Sequence, residues 1–301
     1  MKRSIPFFTG CVMVIALCVF NNSQILAQED AQPAATEQEQ PDNRPVKGWF
    51  DSGQLIDNQT PVTPTKGGLE LVIHHRFGNI KQNKFDDIFG IYASSNIRMG
   101  FNYGITDKLM IGIGTEKDRK LQDLHWKYAI LQQTRSGSVP FSLSYYGNVA
   151  LDARDKAIFE STKIEYRYIH RFSYFSQIIA ARKFSSAFSM QVAPSFMYFN
   201  AVDQKYSNYN VGLSVGGKIK FAQSMGAIFE YDQAYITSDT DDAITPKPNF
   251  SIGIEKGTAT HCFQVFMASY RSIINQYNMA MNEEDFFSGG ISFGFNITVR
   301  F

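Results

Sequence analysis

The sequence predicts an all-β protein, an antiparallel transmembrane β-barrel of about 12 strands preceded by a signal peptide and a disordered linker. Three observations carry that prediction. From residue 68 onward, apolar residues alternate with small or polar ones, the period of strands with one oily face. The connections between these segments are mostly short and long in turn, as in barrels with short turns at one rim and longer loops at the other. The composition is 44% hydrophobic and 14% aromatic, with 26 Phe and 15 Tyr, yet the mean hydropathy is −0.21. That value is too polar for a bundle of membrane helices, but it suits a barrel, where only alternate strand residues meet lipid.

The first 27 residues read as a secretory signal. Lys2 and Arg3 form a positive start, Ile5 to Phe20 is mostly apolar, and Ala27 ends a candidate cleavage site. The apolar stretch is shorter than the roughly 20 residues of a membrane helix, which argues against a retained anchor. Cys18 follows Leu17 rather than a small residue, which argues against a lipoprotein signal. Cys11 and Cys18 fall inside this signal, so the mature chain keeps only Cys262 and forms no internal disulfide. Of the 29 basic and 28 acidic residues, only Lys2 and Arg3 leave with the signal, so the mature net charge is −1. A chain so balanced lacks the basic face of a nucleic-acid binder.

Residues 28–46 are rich in Gln, Glu, Pro and Ala without an apolar period and read as a disordered linker, expected in the periplasm. Residues 47–67 form an extension in which Trp49, Phe50, Leu55 and Ile56 can dock while Pro61 and Pro64 prevent a long element, so it is a candidate cap or plug.

The barrel occupies 68–301. Strands are expected at 68–77, 93–104, 109–117, 121–132, 139–150, 166–184, 187–199, 209–221, 225–235, 248–255, 259–270 and 287–301. The last is the clearest. Phe287, Gly289, Ile291, Phe293, Phe295, Ile297, Val299 and Phe301 share one face, while the other is small and polar. Phe293, Phe295, Ile297, Val299 and the closing Phe301 resemble the insertion signal of outer-membrane barrels. Short turns are expected at 105–108, 133–138, 185–186, 222–224 and 256–258, and longer outer loops at 78–92, 151–165, 200–208, 236–247 and 271–286. Only 118–120 breaks the alternation. A soluble exported β-sandwich explains the alternation but not the loop asymmetry, the polar second face or the terminal Phe.

Several motifs together resemble an uncharacterised family of Bacteroidetes outer-membrane β-barrel proteins, a domain-of-unknown-function family. They are Ile73-His74-His75-Arg76-Phe77-Gly78, the run from Gln177 to Phe184, the run from Phe188 to Pro194, His261-Cys262-Phe263-Gln264 and Phe293-Gly294-Phe295-Asn296. The resemblance covers about residues 47–301. Ala259 and Thr260 depart from the Gly pair expected before His261. The resemblance implies a barrel in the cell outer membrane and no particular chemistry.

In the phase of these strands Arg98, His125, Lys127, Lys218, Lys220, Glu230, Glu255 and Arg300 point into the lumen. They read either as a mixed-charge solute path or as an ion-paired filling of a narrow interior. No catalytic, cofactor-binding or metal site is expected. The five His (74, 75, 125, 170 and 261) lie in no His-x-Ser motif, and no Gly-x-Ser-x-Gly elbow is present. His74 and His75 face opposite ways, as do His261 and Cys262, so neither pair readily shares a metal. Asp239, Asp241 and Asp242 lack the glycine and distal Glu of an EF-hand loop. Gly100, Gly112, Gly114, Gly212 and Gly216 precede no helix and read as relief of crowding inside the wall.

The expected function is a passive channel for small polar or ionic solutes. The alternative is a non-conducting barrel that scaffolds or anchors envelope proteins. The expected partners are outer-membrane lipid, the barrel assembly machinery and an unidentified periplasmic or surface protein. The two readings divide on whether residues 47–66 and the inward side chains leave the lumen open.

Overall fold

The computed structural model describes residues 40–81, 85–162, 165–236 and 244–301. Everything below belongs to one compact unit, residues 41–301. Twelve strands run in chain order: β1 Leu69–Asn79, β2 Asn96–Gly104, β3 Leu109–Glu116, β4 Leu121–Leu131, β5 Ser142–Asp152, β6 Phe172–Lys183, β7 Phe188–Phe199, β8 Tyr209–Ala222, β9 Met225–Ile236, β10 Asn249–Gly257, β11 His261–Ala268 and β12 Ser292–Arg300. Each pairs antiparallel with its neighbours, and β1 closes on β12 from Glu70↔Arg300 to Asn79↔Ser292. The closed ladder leaves no strand edge unpaired, the condition lipid sets for a spanning sheet.

The alternation does what the sequence predicts. Along β4, Asp123, His125 and Lys127 are buried inside, while Leu124, Tyr128 and Ile130 are exposed on the outer wall. The connections at 105–108, 132–141, 184–187, 223–224 and 258–260 lie at one rim and are the shorter set. The opposite rim carries the longer ones, apart from 117–120 and from 200–208, which is one residue shorter than 132–141.

Two strands, β6 and β12, begin well after their predicted starts. In the final segment the Asp285 carboxylate accepts hydrogen bonds from the backbone N–H groups of Phe287 and Ser288, capping a 3₁₀ turn. Gly289 then adopts a left-handed conformation (φ +87°), which ends that turn and delays β12 to Ser292. Phe287, Gly289 and Ile291 therefore precede the strand. In the segment 166–184, residues Tyr168–Arg171 form a 3₁₀ turn, and β6 starts at Phe172.

The inner face also departs from the expected polar path. Leu121, Tyr146, Ala150, Phe175, Ile179, Ala193, Met197, Phe199 and Ala234 all point inward and form an apolar cluster. What covers it is α1, Asn275–Ala280, which lies within the predicted outer loop 271–286. The signal peptide, the linker through residue 39 and the Asp239, Asp241 and Asp242 cluster lie outside the described residues. Residues 42–46 run along the β4–β5 turn, where Val46 N–H donates to Gln133 O at 2.9 Å and Pro45 bridges Thr134.

Candidate functional site

The lumen is occupied from both rims by the protein's own chain. From the short-turn rim, residues 50–62 turn back on themselves inside the barrel, with Thr60 N–H donating to Gly53 O at 3.0 Å. Leu55 and Ile56 are fully buried against Ile228, Phe266 and Ala268. Phe50 and Val62 pack in the same cluster, and the other contacts of this plug are largely polar. The Glu230 carboxylate accepts three backbone N–H groups, from Ile56, Asp57 and Asn58, each at 3.0 Å. Three successive amides aimed at one carboxylate form a compact anion cradle. Beside it, Arg76 donates to Asp57 Oδ1 at 2.8 Å and to Asn296 Oδ1 at 2.9 Å, and its guanidinium lies 4.4 Å from the centre of the Phe266 ring. Lys127 Nζ donates to Gly53 O, Thr60 O and Gln59 Oε1 at 2.7–3.1 Å. An ammonium has three donors and no acceptor, so this set saturates it without a carboxylate.

From the long-loop rim comes the insert, residues 273–281. All six residues of α1 are buried. Tyr277 meets Phe199 edge-on at 5.2 Å, and Met279 packs into the same apolar patch. Gln276 donates to Asn148 Oδ1 at 3.0 Å and to Ser173 Oγ at 3.1 Å. Ile273 N–H donates to Glu116 Oε1 at 3.2 Å. Plug and insert meet where Asn275 Nδ2 donates to Asp57 O at 3.2 Å. What remains between them is a void of about 20 Å³, touched by Gln54, His74, Arg98, His125 and Asn275, room for about one water.

The eight residues expected to line the lumen are brought to its interior or its short-turn rim. Arg98 pairs with Asp123 at 2.7 and 2.8 Å, and His125 bridges Asp123 and Asn102, each at 2.8 Å. Lys218 pairs with Glu255 at 2.5 Å and with Asp51 of the plug segment. Arg300 pairs with Glu70 at 3.1 Å and donates to Asp51 O. Lys220 stands half-exposed at the rim. Glu230 and Lys127 hold the plug. Phe293, Phe295, Ile297, Val299 and Phe301 lie on the outward phase, with Phe295 stacked on His75 at 4.9 Å. His74 points inward to Gln54 (2.9 Å), while His75 points outward. Among the described residues no three His, Cys, Asp or Glu side chains stand close enough to hold a metal ion.

The residues missed from the sequence are Asp57, Asn58 and Gln59 of the plug and Asn275, Gln276 and Tyr277 of the insert. Their one sequence signal is indirect. Phe175, Met197 and Phe199 fall on the inward phase, and a water-filled bore gives an inward Phe nothing to pack against.

Above the insert, at the long-loop rim, lies a cavity of about 480 Å³. Its floor includes Tyr277, whose hydroxyl burial pushes up to about 12. On its flank Lys205 Nζ and Tyr206 Oη donate to Glu283 Oε1 at 2.8 and 2.5 Å, and both hold that carboxyl below the usual range.

Among solved structures the chain is similar to an outer-membrane channel from Pseudomonas putida F1, with 9% identity over 80% of this chain and 97% of that one (TM-score 0.49). It is also similar to the NanC porin, with 7% identity over 77% and 98% (TM-score 0.48). The KdgM porin shows 7% identity over the same shares (TM-score 0.46). At such identities the likeness concerns barrel architecture alone. No curated protein matches the chain significantly in sequence. A family model does, across residues 50–301, plug and barrel together, so the chain belongs to the family described as membrane bound beta barrel domain (DUF5777).

Proposed function

We propose that the protein is an outer-membrane channel for small polar or ionic solutes, held closed in this structure by the plug and the insert. The observation that carries this reading is the chemistry of the plug seat. Beside the apolar contacts of Phe50, Leu55, Ile56 and Val62, the plug meets the wall through many hydrogen bonds and ion pairs, which water can replace when the segment withdraws. The wall left behind would expose Arg76, Lys127 and Glu230, a hydrated mixed-charge path. The short-turn rim, where the plug enters, faces the periplasm in this reading.

A second reading is favoured by the filled bore itself: a non-conducting barrel that anchors envelope partners through its rims. An enzyme is less well supported. Neither interior histidine hydrogen-bonds a serine, His125 meeting Asp123 and Asn102, and His74 meeting Gln54.

The test is single-channel recording in planar bilayers from the refolded mature chain and from a chain lacking residues 28–66, with folding verified by heat-dependent gel mobility. Discrete steps in the truncated chain, with a closed or rarely open full chain, support the plugged channel. Silence in both, and in a truncated chain whose insert is also replaced by a Gly-Ser linker, removes the channel and leaves the anchor.

A further inference from the structure

The cavity at the long-loop rim has features of a ligand site, and one of its cations forms no ion pair among the described residues. Its volume of about 480 Å³ falls within the roughly 300–1,000 Å³ of small-molecule sites. Most of its cations are already engaged. Arg154 clasps both oxygens of Asp152 at 2.6–3.1 Å, and Lys205 pairs with Glu283. Arg119 differs. Its guanidinium lies 5.1 Å from the centre of the Tyr277 ring, and no described carboxylate forms an ion pair with it. A guanidinium stacked on an aromatic face keeps its planar fork of N–H donors free for a carboxylate or phosphate.

A second donor stands in the same cavity. His170 Nδ1 accepts the backbone N–H of Arg167 at 3.0 Å, so the neutral ring carries its proton on Nε2. Also lining the cavity, on the β7–β8 connection, Asp203 spends one oxygen on the Lys205 backbone N–H at 3.1 Å. Its carboxylate repels a plain anion but accepts hydrogen bonds from a hydroxyl. Tyr277 and Phe172 add apolar surface to the lining.

We infer that this cavity binds a small organic acid, its carboxylate on Arg119 and His170 and its hydroxyl groups toward Asp203. The inference deepens the channel reading and rests on it for its meaning. If the channel conducts, this is the entry site of a hydroxylated carboxylate, and its floor is the insert that closes the bore.

The experiment titrates D-gluconate calorimetrically into the full mature chain refolded in detergent, with D-glucose as the neutral control. Saturable gluconate binding is expected, with none for glucose, and with at least tenfold weaker affinity in Arg119→Ala. Arg119→Lys keeps the charge without the fork and is expected to fall between. Arg119 is half-exposed in a turn, and unchanged heat-dependent gel mobility establishes that the variants are folded. Gluconate binding no tighter than glucose, or equal in wild type and Arg119→Ala, overturns the inference. Because binding is read without conduction, a silent barrel that binds gluconate removes the channel and keeps the site. A conducting barrel that does not bind removes the site alone.

Discussion

Replacing Glu230 with Gln tests the plug seat with little change of shape. In the structure Ile56 N–H and Asn58 N–H share Oε1 and Asp57 N–H takes Oε2. An amide in the same place keeps one acceptor oxygen. It therefore loses the third bond outright and sets an N–H group against an N–H group in a dry interior. A stranded buried donor costs about 1–3 kcal/mol, and the two remaining bonds each lose about 1 kcal/mol when their acceptor becomes neutral. Set against the lighter desolvation of a neutral amide, the plugged state is disfavoured by about 3 kcal/mol, roughly a 150-fold rise in the withdrawn population. The assay is maleimide labelling of Ser52→Cys, a position now 4% exposed, in a Cys262→Ser background. That background is needed because Ser52 Oγ lies 3.2 Å from Thr298 Oγ1, and Thr298 sits opposite Cys262 in the β11–β12 ladder. When opening equilibrates faster than labelling, the rate follows the open population. A rise of about two orders of magnitude is expected. A rate unchanged within threefold refutes the reasoning, because it means that the three amides do not face a carboxylate anion.

Other predictions follow from the same contacts. Asp57→Ala leaves Arg76 as a buried cation without its carboxylate, so it should lower the barrel's urea midpoint by an amount equivalent to about 3–5 kcal/mol, while D57A combined with Arg76→Met should recover most of that loss. A methyl group at Gly114 would overlap the Arg98 guanidinium and the Asp123 carboxylate, so Gly114→Ala should destabilise the barrel by about 1–3 kcal/mol in the same assay. The Glu283 carboxyl is held below its ordinary range by Lys205 and Tyr206, so its contribution is complete above the unfolded value, near pH 4.5, and is lost as pH falls through the lower folded value. Proteolytic nicking of the 282–291 connection should therefore rise on acidification below pH 4.5, and Glu283→Gln should show the faster nicking already at neutral pH. Removing residues 28–66 alone should give smaller conductance steps than removing them together with residues 274–281, because the insert is seated independently on Asn148, Ser173 and Phe199.

The barrel was legible because its determinants are local and repeated. Each strand states its own phase, and a one-residue slip would turn Lys127 to lipid and Trp126 to the lumen. Hence most strand ends agree within a few residues, and the inward set from Arg98 to Arg300 follows from parity alone. The two late starts, at β6 and β12, come from 3₁₀ turns in which apolar residues happen to continue the strand period. The extension 47–67 was legible as a candidate plug from Trp49, Phe50, Leu55 and Ile56, but its seat on the wall and the insert were not legible in this way. Asp57 and Glu230 are 173 residues apart, and nothing in either neighbourhood names the other. The run Asn275–Ala280 is too short to show a helical period and reads as an ordinary polar loop.

Their two seats nevertheless differ in a way the wall sequence does encode, and the difference bears on how the bore would open. The plug seat is largely polar and charged, with one apolar patch under Phe50, Leu55 and Ile56: Arg76, Lys127, Lys218, Glu230 and Glu255 all engage residues 51–60 or one another. The insert seat is largely apolar: Phe175, Ile179, Met197 and Phe199. Water replaces the ionic and polar contacts readily, so most of the cost of releasing the plug lies in its apolar contacts, those of Phe50, Leu55 and Ile56. Withdrawing the insert bares apolar wall to water, at about 25 cal/mol for each Å² exposed, and no hydration of charge offsets that cost. The insert is thus the more costly of the two to displace by hydration alone. A ligand bound above Tyr277 is placed to act on it, because Arg119 now stacks on that ring and would exchange part of the contact for a carboxylate. Solute at the long-loop rim and tension at the short-turn rim then act on different barriers, and each alone opens the bore only in part.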